Sequence, residues 1–140
     1  GKVNTQTIMQ ALPDVAKVQG ELSALQKQKE NDLKSMQDEL QRKADEYQKG
    51  ASTMNATAKQ QKETELQSLQ QKFQQALQDA QQEMQKKQSE LMQPVYAKVT
   101  AAIEAVGKAG NYTFIFEDGA AVYAGTNVVD VTKEVQSKIK

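Results

Sequence analysis

The chain has 140 residues with 18 basic and 18 acidic side chains, no histidine and no cysteine. That inventory excludes disulfides, thiol catalysis, the usual zinc sites and imidazole acid-base chemistry, and its neutral balance gives no global pull toward nucleic acid or anionic membranes. No stretch approaches the roughly 20 apolar residues of a membrane-spanning helix. The first residue is Gly1 rather than an initiator methionine, so the start reads as either a cloning or a processing boundary, and it neither shows nor excludes a removed targeting peptide.

Lys2 to Asn4 reads as the end of a short strand. Thr5 to Leu12 carries Ile8, Met9 and Leu12 in a short helical segment, which Pro13 interrupts. Proline suits the first turn of a new helix, and Asp14 beside it suits the positive end of the helix dipole.

Two hydrophobic stripes follow, and they mirror each other. One runs Val18, Leu22, Leu25, Lys29, Leu33, Met36, Leu40, Ala44, Tyr47; the other runs Leu66, Leu69, Phe73, Leu77, Ala80, Met84. Steps of three, four and four residues give an eleven-residue repeat, whose helices pair nearly straight or slightly right-handed. Folding the chain back at about residue 51 sets Val18 beside Met84, Leu22 beside Ala80, Leu25 beside Leu77, Leu33 beside Leu69 and Met36 beside Leu66. In this pairing Phe73 faces Lys29 and Leu40 faces Lys62, so the seam is expected to be loose there.

Gly50 is expected to stop the first helix in a left-handed conformation, and Ser52 or Thr53 to cap the returning one. The return arm, Met54 to Gln93, is dominated by glutamine, a good helix former that reads as a solvated helix face. The stripe continues through Leu91, Val95, Val99, Ile103 and Val106, so the second helix is the longer, with a kink expected at Pro94.

After Gly107 and Gly110 the character changes. Tyr112 to Phe116 is a β-prone run, Glu117, Asp118 and Gly119 read as a turn, and Val122 to Ala124 as a second strand of a hairpin. Val131, Val135 and Ile139 share one face of a closing helix with Asp130 as its expected cap. So short a ribbon is marginal alone and wants partners.

The fold class read from these elements is α+β and mostly helical: a long antiparallel helical hairpin projecting from a small β-containing body. The body is 1–14 with 94–140, the arm is 15–93, and the arm's tip lies near 50–53. Phe114, Phe116, Val122 and Tyr123 are candidates for strand pairing or oligomer contacts. Asp38 with Glu39, Asp45 with Glu46, and Glu117 with Asp118 are acidic pairs without a further ligand cluster, so no catalytic, metal or cofactor site is assigned. Lys86 with Lys87 and Arg42 with Lys43 are too short and too interleaved with acids for a nucleic-acid patch.

The order of segments resembles the Skp/OmpH family of periplasmic chaperones for outer-membrane proteins. Val3-Asn4 with Ile8 and Leu12-Pro13 at one end, and Val122-Tyr123-Ala124 with Asp130-Val131-Thr132 at the other, carry the likeness across the whole chain. The resemblance implies a non-enzymatic, ATP-independent holdase: a periplasmic homotrimer whose arms enclose an unfolded β-barrel client, without stable membrane insertion. Well-known members are strongly basic, whereas this chain is neutral, so dispersed apolar and amide contacts are expected to do more of the client capture. Met36, Leu40, Tyr47, Met54, Leu66, Phe73 and Met84 are the candidate client contacts. The competing reading is a coiled-coil spacer or adaptor of the cell envelope that docks one defined partner.

Overall fold

The computed structural model describes residues 1–139; Lys140, the last residue of the expected body, lies outside them. In chain order the elements are β1 (Lys2–Val3), α1 (Thr5–Ala11), α2 (Pro13–Gly50), a 3-10 turn (Ala51–Thr53), α3 (Ala56–Ala109), β2 (Phe116–Glu117) and α4 (Thr132–Lys138). Contacts divide them into two compact units, Gly1–Gly20 with Gln88–Lys140, and Glu21–Lys87.

The first unit holds a small apolar core. Val3, Ile8, Val99, Ala102, Val106, Val131 and Val135 are buried together, with Met9, Leu12, Ile103, Tyr112, Ile115 and Ile139 packed around them. On α3 the buried positions are Val95, Val99, Ala102 and Val106, one face at helical spacing. Asn4 caps α1 by accepting from the Thr7 N–H at 2.8 Å, and the helix runs on through Pro94.

Its strands are arranged differently from the expected hairpin. β1 pairs in parallel with β2, Lys2 opposite Phe116 and Val3 opposite Glu117, and a parallel bridge joins Lys2 to Asp130 on the other side. The N-terminal segment is therefore the middle of three short stretches. It accepts from Phe116 N–H at the Gly1 carbonyl (3.0 Å) and from Val131 N–H at the Lys2 carbonyl (2.9 Å). Gly119, at φ +84°, turns the chain after β2, and Val122 to Ala124 form no strand. Their β-prone side chains find no backbone ladder within the described residues.

Helix ends also depart from expectation. Gly50 sits at φ −93°, a right-handed value, so the stop comes from the tighter 3-10 turn, in which Thr53 Oγ1 donates to the Gly50 carbonyl at 2.9 Å. Asn55, rather than Ser52 or Thr53, caps α3, its Oδ1 accepting from Ala58 N–H at 2.8 Å. At the far end Asn111 takes the left-handed conformation, φ 51°, and Tyr112 N–H donates to the Gly107 carbonyl at 3.0 Å. Gly110 is needed there because a Cβ would lie 2.4 Å from the Tyr112 ring. Val131, not Asp130, occupies the cap position of α4. Asp130 still serves the helix start, since its Oδ1 accepts from Thr132 N–H at 2.9 Å and from Thr132 Oγ1 at 2.6 Å.

The second unit is the antiparallel helical hairpin. Its stripe positions are half-buried, with Leu77 40 % exposed, and no residue from 21 to 87 is fully buried. Two packed helices alone leave each apolar side chain with solvent on one side, which explains the open seam.

The register of the hairpin differs from the mirror pairing. Lys29 pairs with Glu83, Lys43 with Glu65, and the Tyr47 hydroxyl donates to Glu63 at 2.5 Å. The expectation set Lys29 opposite Phe73, and α3 rises about 15 Å between Phe73 and Glu83, too far for one lysine to span. Met54 and Asn55 extend the connection beyond the 3-10 turn, so α3 starts only at Ala56 and the fold-back point lies a few residues later than 51.

Candidate functional site

On the hairpin unit, Leu40 and Ala44 of α2 meet Leu66, Phe73 and Leu77 of α3 around a groove of about 760 Å³. Gln37, Gln41, Gln67, Gln70, Gln74 and Glu63 complete its lining. Three of the seven expected client contacts, Leu40, Leu66 and Phe73, thus come together. Met36 and Met84 are half-buried on the stripes outside it. Met54 sits in the connection, where its Cε would lie 2.9 Å from a Cβ on Gly50. Tyr47 is held by Glu63, which pushes its phenol pKa above the ordinary value.

Polar ties frame the groove. The Lys43 ammonium bonded to Glu65 holds that carboxyl below the usual carboxylate range, and Glu65 in turn raises Lys43. Both ends stay substantially solvated, so each tie orients the helices more than it stabilises them. Neither lysine tie was legible in the sequence, because the mirror pairing put other residues opposite them. Leu77 and the groove glutamines were read as seam and solvated face; their convergence depends on the observed register.

On the body unit, Phe114 (65 % exposed), Phe116 (52 %), Val122 (108 %) and Tyr123 (85 %) all face solvent. The Phe114 and Phe116 rings stack with centroids 5.6 Å apart. Both phenylalanines and Tyr123 line a second cavity of about 580 Å³, which Val122 does not line. Tyr96 and Val129 are further exposed large side chains that sequence reasoning did not single out.

The acidic pairs have structural roles or lie on exposed helix. Glu117 accepts from the Thr5 N–H at 2.9 Å, and Asp118 pairs with Lys2 at 3.2 Å. Among the described residues no group of three or more metal-ligating side chains converges, and no helix is long and apolar enough to cross a membrane.

The family model of OmpH-like outer membrane proteins matches residues 1–139. The chain belongs to the OmpH-like family. That family is non-enzymatic. No curated protein sequence matches this OmpH-like chain. Among solved structures, a protein of Caulobacter crescentus CB15 assigned as an OmpH-like outer membrane chaperone superposes with a TM-score of 0.85 at 18 % identity, over 99 % of this chain and 81 % of that one. At that identity the likeness speaks for the fold, in which long helices carry a few short strands.

Proposed function

We propose that this OmpH-like protein is an ATP-independent holdase of the periplasm that binds unfolded outer-membrane β-barrel proteins and prevents their aggregation. The observation that carries the reading is the hairpin seam: its apolar side chains run the length of the unit without one being fully buried. Such a surface offers many weak contacts that an unfolded chain shares by turns, and weak contacts at high local concentration add up to avidity.

The body supplies the second half of the proposal. A stacked pair of phenylalanines beside an unpaired Val122-Tyr123 segment is a large apolar exposure for a chain of this size. Burial of Phe114, Phe116, Val122 and Tyr123 between three copies gives the homotrimer that brings several hairpins to one client. In this division of labour residues 1–14 and 94–140 assemble, and 15–93 hold.

A spacer or adaptor role is the second reading, favoured by the three ties Lys29–Glu83, Lys43–Glu65 and Tyr47–Glu63 that draw the helices together. Dilution of an unfolded β-barrel protein from urea separates the two. A holdase lowers light scattering without ATP for several barrel clients; a spacer leaves scattering unchanged and binds one defined partner saturably.

A further inference from the structure

The exposed apolar side chains of the body stand on two kinds of backbone. Around Phe114 and Phe116 the main chain is committed. The Gly1 ammonium donates to the Phe114 carbonyl at 2.8 Å, Phe116 N–H to the Gly1 carbonyl at 3.0 Å, and Asp118 N–H to the Val3 carbonyl at 2.7 Å. The turn that follows closes with Ala120 N–H on the Glu117 carbonyl at 3.0 Å. From Ala121 to Asn127 no backbone N–H donates to any described residue, and the next to do so is Val128, to the Gly125 carbonyl at 3.2 Å. Val122 and Tyr123, in that stretch, lie in solvent, and a Cβ on Gly119 just before it would meet nothing within 4 Å.

An endoprotease takes its substrate as an extended strand, with the main chain bonded to the edges of the cleft and a side chain in a pocket. A segment bonded elsewhere must first open, so susceptibility follows local opening rather than side-chain exposure. Helices occupy 5–11, 13–50 and 56–109 and commit their N–H groups internally. Outside them, the hairpin connection at 51–55 is short, with Met54 its one large apolar side chain. The segments around Phe116 and Val131 are bonded to the N-terminal stretch. Residues 121–127 are left open, and Tyr123 is their one aromatic.

A cut between Tyr123 and Ala124 adds one water across that peptide bond, leaving a carboxylate on Tyr123 and an ammonium on Ala124. The C-terminal piece carries Val131 and Val135, both fully buried in the core. Its helix has seven residues, too few to persist alone. The same Val122-Tyr123 stretch is covered in the proposed trimer. We propose that residues 121–127 are a proteolytic disposal site for the unassembled chain: an endoprotease selecting a large apolar side chain cuts after Tyr123 and dismantles the body core, and assembly protects the chain by covering the segment. This rests on the trimer reading and gives the same surface a second class of partner.

The probe is chymotrypsin, which cuts after large aromatic side chains, at a fixed low ratio to the full chain, with fragments identified by mass. Phe116→Asp, expected not to assemble, should release 1–123 and 124–140 first, and at least about tenfold faster than the wild-type trimer, because cleavage tracks the open population. Adding Tyr123→Asp to that chain should slow its first cut at least about tenfold, since the remaining aromatics sit in bonded backbone. First cleavage after Phe114, or in the wild type after Phe116, overturns the proposal, because both side chains are exposed and only their backbone is protected. Where circular dichroism shows that Phe116→Asp has lost helix, Val122→Asp, outside the core and the ladder, replaces it with the same expectations. Absolute mass on the same samples separates the two levels. A wild type of three chains cut as fast as the unassembled variant refutes the protection and leaves the trimer standing; a wild type of one chain refutes the trimer and the protection with it.

Discussion

The Tyr47 phenol donates to the Glu63 carboxylate across the hairpin at 2.5 Å, so the side chain expected to meet clients is first a tie between two helices. Its ring keeps an apolar edge while its hydroxyl is committed. Tyr47→Phe should therefore leave client holding within about twofold and lower the thermal midpoint of the hairpin slightly, as exposed hydrogen bonds contribute little. Circular dichroism melting beside a scattering assay checks both. A large loss of holding with an unchanged midpoint would make the hydroxyl a client contact.

The register of the hairpin is open to direct chemical test, because the chain has no cysteine of its own. A short bis-maleimide should link Lys43→Cys to Glu65→Cys in high yield, and Lys43→Cys to Lys59→Cys, the partner under the mirror pairing, poorly. Peptide mapping of the products reads the outcome. The opposite yields would restore the mirror register.

Stability is unevenly spread between the units. Ile8 is fully buried in the body core, and Ile8→Ala should cost about 2–5 kcal/mol through lost burial and the cavity left behind. Leu40 is half-buried on the seam, so Leu40→Ala should cost only about 1 kcal/mol, in proportion to the smaller area removed from water. Urea unfolding curves of the two variants compare them. Equal losses would mean that the seam is buried more deeply than in a single chain.

Stability is expected to fall toward both acid and alkaline pH. Hydrogen bonds from Lys43, Lys98 and Thr132 hold Glu65, Asp14 and Asp130 below their ordinary values. Each contributes stability that is present above about pH 4 and lost as pH falls through its lowered folded value. Glu65 and Glu63 raise Lys43 and Tyr47, so those contributions are complete below about pH 10 and lost as pH rises through the raised values. With no histidine to titrate between, the thermal midpoint should be flat from about pH 5 to 9.5 and fall slightly on both sides. A shift of several degrees between pH 6 and 8 would contradict this.

Much of the fold is legible in the residues, and the parts that are not share a cause. Apolar spacing places both long helices, Pro13 separates α1 from α2, and Val131 and Val135 mark the buried face of α4. Periodicity does not specify register: a stripe stepping three, four, four nearly matches itself after sliding along the partner, so the polar ties at Lys29, Lys43 and Tyr47 and the length of the 51–55 connection decide it. The groove inherits that ambiguity, since Phe73 comes within a turn of Leu40 only in the observed register. β-propensity likewise marks Phe116 and Val122 as strand formers without naming partners. Within one chain Phe116 pairs with the distant N-terminal segment, and among the described residues Val122 joins no strand.

We propose that several copies of this OmpH-like chain hold one unfolded barrel protein between their hairpins. Sizing chromatography with absolute mass, run on the protein alone and after dilution of an unfolded β-barrel client from urea into it, reads this assembly directly. A particle of three chains alone, three chains plus one client in the mixture, and smaller particles without client for Phe116→Asp are expected. A monomer at micromolar concentration, or a trimer whose mass is unchanged by any barrel client, would contradict it.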